Sequence, residues 1–369
     1  MTPDRSAIVE DLRVSAFDVP TDAPESDATL EWDSVTLVLV EAKSRGKTGL
    51  GFTYGHPAVA SLVDTKLSGV VAGCDAFDVR GASERMRAEV RNLGGPGMTA
   101  LAISAVDNAL WDLKARLLDV PLVKLLGQVR DACPVYGSGG FTSYSVAQLG
   151  EQLAGWVEKG VAKVKIKVAR HPSQDPERLR VAREAIGNST ELFVDANGAF
   201  KPKDALRWAE RYAGFGVRWF EEPLSSDDLE GLRLMRDRAP AAMDIAAGEY
   251  GYDVFYFRRM LEAGAVDVLQ ADVTRCGGTT GFLDVAALCR SHNMNLSSHT
   301  APAMHAHLCC ALPEVVHMEY FHTHARAEKL LFDGPHEPEQ GTLRPSLSRP
   351  GNGLALKRSD AEKYLAYAS

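Results

Sequence analysis

The sequence predicts an α/β protein, a closed parallel barrel that carries a separate α+β capping block. Three observations point there. Before Cys133 the chain mixes β-runs and helices without a regular period, whereas after it eight short β-rich runs alternate with helical stretches. The centres of those runs recur at roughly 20–30 residue intervals, the length of a βα unit in a parallel barrel. Carboxylates stand at the carboxyl ends of consecutive runs, where such barrels build their sites.

The chain has 369 residues, 45% of them hydrophobic, enough for a sizeable core and two domains. The segment "TLEWDSVTLVLVEAKSRGKTGLGFTYG" reads as two β-runs around a Gly-punctuated turn, and Asp64 to Arg91 and Thr99 to Leu118 read as helices. In the second helix Leu101, Ala105, Asn108 and Trp111 stack at helical spacing, and "DVPLVKLLG" closes it with Pro and Gly. The eight runs are "CPVYGSGG", "AKVKIKV", "ELFVDAN", "VRWFEEP", "DIAAGE", "VDVLQAD", "MNLSSH" and "VVHMEY". A doubly wound open sheet is the alternative. It would want a Gly-rich phosphate turn after an early strand, and "YGSGGFTS" contains no GxGxxG. The Pro- and Gly-rich tail from Leu330 lacks helical period and is expected to wrap back onto the first block. The expected domains are a cap over 1–130, completed by 325–369, and a barrel over 131–324.

Formal net charge is -8, and the 41 Lys and Arg residues are scattered, which argues against nucleic acid or an acidic membrane as partner and favours a small molecule. The six cysteines lack CxxC spacing and read as reduced thiols. The amino-terminal residues form no apolar signal core, and no uncharged apolar run reaches transmembrane length, so a cytoplasmic location is expected.

In "VAKVKIKVAR", Lys163, Lys165 and Lys167 alternate with Val164, Ile166 and Val168. Both faces of a parallel barrel strand are covered, so these lysines must point into the barrel or lie at its rim. Asp195, Glu221 and Glu249 each end or follow a consecutive run. Three converging carboxylates repel one another unless a cation sits among them, and hard oxygen ligands suit Mg²⁺. Asp272 ends the sixth run and His299 the seventh, close enough for the carboxylate to hold the imidazole in one tautomer and raise its basicity.

Taken in order, "KVKIK", "VDANG", "FEEP", "GE", "DVTRCGG" and "SSH" resemble the enolase superfamily, and within it the mandelate racemase subgroup; "ALWDLKARLLDVPLVKLLG" extends the resemblance into the cap. It implies a (β/α)7β barrel capped by an α+β domain made from both termini. It also implies Mg²⁺ on Asp195, Glu221 and Glu249, Lys167 as a base, and Lys165 beside it near the substrate carboxylate. Lys163 stays outside the motif. A second ammonium and a divalent cation would bring the Lys167 pKa down from about 10.4 toward working pH. Asp272 and His299 stand where the muconate lactonising and dipeptide epimerising members carry a lysine as second base, and Glu249 stands where those relatives tend to have Asp. Glu319 in "HMEYF" resembles the family's acidic contact to the substrate carboxylate, and Ser138, Asn197 and His305 are further candidates for substrate contact.

The reaction implied is removal of the proton α to a carboxylate through an enediolate, with Lys167 and His299 on opposite faces of the substrate. The cap supplies specificity loops in this family, and Trp32, Tyr54 and His56 offer a polar and aromatic mixture that favours a polyhydroxylated acid. Dehydration of an acid sugar is the expectation. A racemase or epimerase of a 2-hydroxy acid, a sugar-lactone cycloisomerase, and a non-catalytic barrel scaffold are the alternatives. A homo-oligomer is implied by resemblance alone.

Overall fold

In the computed structural model, which describes residues 7–369, the cap is an antiparallel sheet of β1 (Asp11–Ser26), β2 (Glu31–Ser44) and β3 (Lys47–Gly55), joined on the β1 edge by a C-terminal strand, Leu365–Ala368. The sequence reading did not include β1. Its period of two survives in Leu12, Val14 and Ala16, but two prolines and interspersed acids hide it, and the pairing with β2 shifts register between Pro20 and Glu25. The predicted helix Asp64 to Arg91 is broken. Short helical turns run to Val71, and a separate helix Val79–Glu89 starts where the Asp78 side chain accepts from Gly81 N. The helix Met98–Leu117 lies directly on β3, because a Cβ on Gly51 would meet Ala109 N at 2.2 Å.

The eight runs form β4 (Cys133–Gly139), β5 (Lys163–Lys167), β6 (Glu191–Asp195), β7 (Val217–Glu221), β8 (Asp244–Ala247), β9 (Val268–Ala271), β10 (Asn295–Ser298) and β11 (Val315–Phe321). They pair in parallel in chain order, and β11 returns to β4, so the sheet closes and the open-sheet alternative falls. Helices connect successive strands on the outside. Val164, Ile166, Leu192, Val194, Phe220 and Ile245 are buried in the main core with helical residues such as Leu149, Leu179 and Leu232, while Tyr136, Phe193, Trp219, Ala246 and Val268 form a second, small cluster.

Register turns this into chemistry. Lys163 pairs with Glu191, Lys165 with Phe193 and Lys167 with Asp195; Asp195 then pairs with Glu221 across β6 and β7. Lys167, Asp195 and Glu221 thus sit side by side at the carboxyl ends of three neighbouring strands. Lys163 lies at the amino end, its Nζ 2.6 Å from Glu191 Oε1, outside that group.

The cap is stitched to the barrel beside β9. Gly277 N donates to Ser104 Oγ, Thr279 N to Asn108 Oδ1, Thr280 N to Asp107 Oδ1 and Trp111 Nε1 to Thr280 Oγ1, all at 2.9 Å. Burial raises the Asp107 carboxyl to about 7, and its Oδ2 has no partner among the described residues. A folded pKa above the unfolded value means the native state binds more protons, so stability falls as pH rises between the ordinary aspartate range and about 7, then levels off. Asp107→Asn keeps the Oδ1 acceptor and is expected to raise Tm progressively over the parent across that window, read by thermal melts from pH 5 to 8.

The tail divides its contacts: Thr342–Leu343 pairs with the barrel strand β4, whereas Asn352 N donates to Asp112 Oδ1 in the helix Met98–Leu117 at 2.6 Å and the last strand joins β1. All six cysteines are free, and no helix among the described residues is long and apolar enough to cross a membrane.

Candidate active site

The chain leaves several barrel strands through strained backbone. Ala169, Asn197, Glu222, Thr300 and Ala301 all have positive φ, and each lies within three residues of a strand's carboxyl end. Such strain persists only where the surroundings impose it, and it gathers at functional sites. Gly248, at φ 137°, serves the same end: a Cβ there would lie 2.0 Å from Gln270 O, so only glycine lets the chain turn past β9 and deliver Glu249.

Asp195, Glu221 and Glu249 are buried, and one oxygen from each lies within 4.8 Å of the others. Asp195 is held by Asn197 N at 2.8 Å and paired with Lys167; Glu221 accepts from Trp219 Nε1 at 2.9 Å and pairs with Lys165. Lys165 Nζ also lies 2.9 Å from Glu319 Oε1 and 3.8 Å from Asp195 Oδ2. The second Glu319 oxygen accepts from Thr300 N at 2.7 Å. On the other flank His299 Nδ1 lies 2.8 Å from Asp272 Oδ2, and His299 Nε2 lies 3.2 Å from Glu249 Oε2. The carboxylates therefore run from Lys167 to His299 with a basic group at each end.

Charge balance tests whether a cation fits. Burial pushes the Glu221 carboxyl up to about 8 although Lys165 opposes it, with Asp195 and Glu319 adding to the rise. A cation among these oxygens would relieve both the burial and the repulsion that disfavour the charged form of Glu221. Three hard oxygen donors in a dry site suit a divalent cation such as Mg²⁺. For His299, burial is outweighed by Glu249 and Asp272, which hold it up at about 9. Glu319 falls to about 2, since Lys165 and the other cationic groups overcome its burial. For Lys167, burial lowers the pKa, but in the chain alone the adjacent Asp195 carboxylate outweighs that and holds it above the usual lysine range.

Other expected residues are placed as follows. Ser138 stands beside Lys165 across β4 and β5, and both Ser138 Oγ and Asn197 Oδ1 are buried without a partner among the described residues. Trp32 donates to Glu25 Oε2 at 2.7 Å and packs edge-on to Phe141, which immediately follows the β4 loop glycines. Tyr54 stacks on His324. His56 is exposed and caps the helix from Pro57 by accepting from Ala58 N at 3.1 Å, so the structure does not bring it to the cluster. His305 is committed too: Nε2 accepts from Val273 N at 3.0 Å and Nδ1 bonds Thr300 O at 2.9 Å, which steadies the two loops bearing Asp272 and His299.

Arg275 and Glu222 were missed. Arg275 lies 3.4 Å from Asp272 Oδ2 and 3.8 Å from Glu249 Oε1, three residues after Asp272 within a motif already quoted. Glu222 is buried beside Glu249 and Asp195, its carboxyl driven well up by burial and their charge. A cleft of about 1060 Å³ opens at the opposite end of the barrel around Lys163 and His317, and none of the clustered acids or bases lines it.

Fold and site together define a barrel in which three buried carboxylates that could hold a cation lie between Lys167 and His299. Two family models agree. Residues 12–127 match the mandelate racemase / muconate lactonizing enzyme N-terminal domain, and 148–361 match the enolase C-terminal domain-like model. The chain is similar to a mandelate racemase/muconate lactonizing enzyme-like protein of Rubrobacter xylanophilus, whose crystal structure superposes with a TM-score of 0.95 at 56% identity over 97% of this chain and 99% of that one. It is 33% identical to a 3,6-anhydro-alpha-L-galactonate cycloisomerase of Streptomyces coelicolor, over 95% of this chain and 97% of that one. The L-talarate/galactarate dehydratase of Salmonella typhimurium is 32% identical over 85% and 81% of the two chains. Its crystal structure with Mg and L-lyxarohydroxamate gives a TM-score of 0.89 at 29% identity, covering 100% of this chain and 95% of that one. The protein belongs to the enolase superfamily, in its mandelate racemase / muconate lactonizing enzyme family.

Proposed function

We propose that the protein is a Mg²⁺-dependent enzyme that removes the proton α to a carboxylate, and that its reaction is the dehydration of an acid sugar. The observation that carries this is the pairing of Lys167 and His299 on either flank of the Asp195, Glu221 and Glu249 cluster. Asp195, Glu221 and Glu249 would hold the cation, which supplies positive charge against the negative charge that builds on the substrate carboxylate.

The chain's own groups do the rest. Lys165 and Glu319 lie where the substrate carboxylate must sit, the ammonium stabilising the enediolate as it forms. Lys167, as the free amine, would take the α-proton from one face, the cation's charge offsetting the Asp195 carboxylate that otherwise keeps it protonated. His299, oriented by Asp272 and kept charged by its two carboxylate neighbours, gives a proton to the departing β-hydroxyl, which leaves as water. The enol that remains tautomerises to a 2-keto-3-deoxy acid. Ser138 Oγ and Asn197 Oδ1, buried without a hydrogen-bond partner among the described residues, would bond substrate hydroxyls. Relatives named as dehydratases and as cycloisomerases support the acid-sugar class, and a sugar-lactone cycloisomerase is the second reading because a similar protein of Agrobacterium fabrum, 28% identical over 94% of this chain and 96% of that one, is named D-galactarolactone cycloisomerase. A cytoplasmic, homo-oligomeric protein that acts on a small carboxylate extends the same reading, and sedimentation reads its assembly.

The test is α-proton exchange in D₂O. A panel of aldonic, aldaric and 2-hydroxy acids with protein and Mg²⁺ is expected to show deuterium incorporation by NMR for acid sugars, with water loss for the true substrate. No exchange and no turnover across the panel would move the protein to the scaffold reading. Exchange without elimination, with inversion, would make it an epimerase.

A further inference from the structure

Away from the catalytic cluster, the end of β1 folds onto the residue that follows β11. Asp22 Oδ2 lies 2.9 Å from His322 Nε2, and one ligand-type atom from each of Asp22, Glu25 and His322 lies within 4.8 Å of the others. Glu25 is 1% exposed. One of its oxygens is fully used, accepting from Trp32 Nε1 and Thr323 Oγ1. The other, Oε1, is buried and has no hydrogen-bond partner among the described residues. Leaving a buried carboxylate oxygen unpaired costs free energy, so the site is built for something that supplies positive charge. Arg326 also faces Glu25, but its guanidinium donates to the Pro20 carbonyl.

We propose that Asp22, Glu25 and His322 form a second divalent-cation site, selective for a borderline ion such as Zn²⁺, that ties the β1–β2 hairpin of the cap to the start of the helix His322–Leu331. The donor set separates it from the catalytic cluster. Three carboxylates suit Mg²⁺, whereas an imidazole nitrogen with two carboxylates suits Zn²⁺, and Mg²⁺ competes poorly for nitrogen. Asp22 and His322 are partly exposed, which leaves an entry path and room for a water to complete four-coordination. The hairpin also bears Trp32, so a cation here would stiffen the rim of the barrel mouth.

Calorimetric titration of the full chain with ZnCl₂ in excess Mg²⁺ tests this. Wild type is expected to bind one Zn²⁺. His322→Gln and Asp22→Asn, both at partly exposed positions, should weaken it by at least about tenfold, while Glu221→Gln should bind it as wild type does. Melts without zinc check that the variants are folded. Failure of wild type to bind Zn²⁺, unchanged binding in both His322→Gln and Asp22→Asn, or loss in Glu221→Gln would each overturn the proposal. None of these outcomes bears on the α-proton chemistry.

Discussion

Lys167→Ala and His299→Asn are each expected to cut net turnover by about 10³-fold or more while leaving half of the exchange chemistry intact. Elimination or inversion needs both a proton acceptor and a proton donor, so losing either group stops the complete reaction. Exchange needs only one. Lys167, paired with Asp195, and His299, beside Glu249, approach from opposite flanks of the carboxylate cluster. His299→Asn should therefore still exchange the α-proton of the stereoisomer presented to Lys167, and Lys167→Ala only that of the opposite configuration. Lys163→Ala is the control. Its ammonium bonds Glu191 at the far end of β5, so exchange should persist on both stereoisomers. Single stereoisomers incubated in D₂O separate these outcomes by NMR. If each single variant loses exchange of both configurations equally, the two groups do not serve separate faces.

The lysines of β5 were legible because a parallel barrel strand has no wet face, so alternation alone assigned Lys163, Lys165 and Lys167 to the barrel interior or its rim. The acids were legible for a related reason, each standing at the end of a short apolar run. What could not be read was anything decided across the chain. The stripe of Leu101, Ala105, Asn108 and Trp111 marked a helix, but only the fold reveals that Asn108 and Trp111 bond Thr279 and Thr280 beyond β9. Arg275 stood in a quoted motif, yet its link to Glu249 depends on a loop from another strand. His56 read as a pocket residue because its segment lies in the cap; locally it is a helix cap, a role that Pro57 immediately after it hinted at. The lowered pKa expected for Lys167 depends on the cation's charge; in the chain alone the Asp195 carboxylate raises it instead.

That difference sets the second large expectation. EDTA should abolish activity and added Mg²⁺ restore it, and Glu221→Gln should weaken Mg²⁺ binding by about 100-fold or more, since altering even an outer partner of a metal ligand costs 10–100-fold. The stability of the protein should report this without any substrate. At a Mg²⁺ concentration of about 100 times its Kd, wild type gains about 2.7 kcal/mol, whereas a variant with Kd raised about 100-fold gains only about 0.4 kcal/mol at the same concentration. Without metal that advantage disappears. Burial and the neighbouring Asp195 and Glu319 already push the Glu221 carboxyl up to about 8, so an amide there replaces a group that is largely neutral, although Lys165 loses a partner and keeps Glu319. Metal-free Glu221→Gln should therefore melt no lower than metal-free wild type, and the two melting curves should cross as Mg²⁺ is added. A Tm increase with Mg²⁺ as large in Glu221→Gln as in wild type would remove Glu221 from the ligand set; a metal-free variant that melts well below wild type would mean that the Glu221 ion pair with Lys165 outweighs the repulsion among the acids.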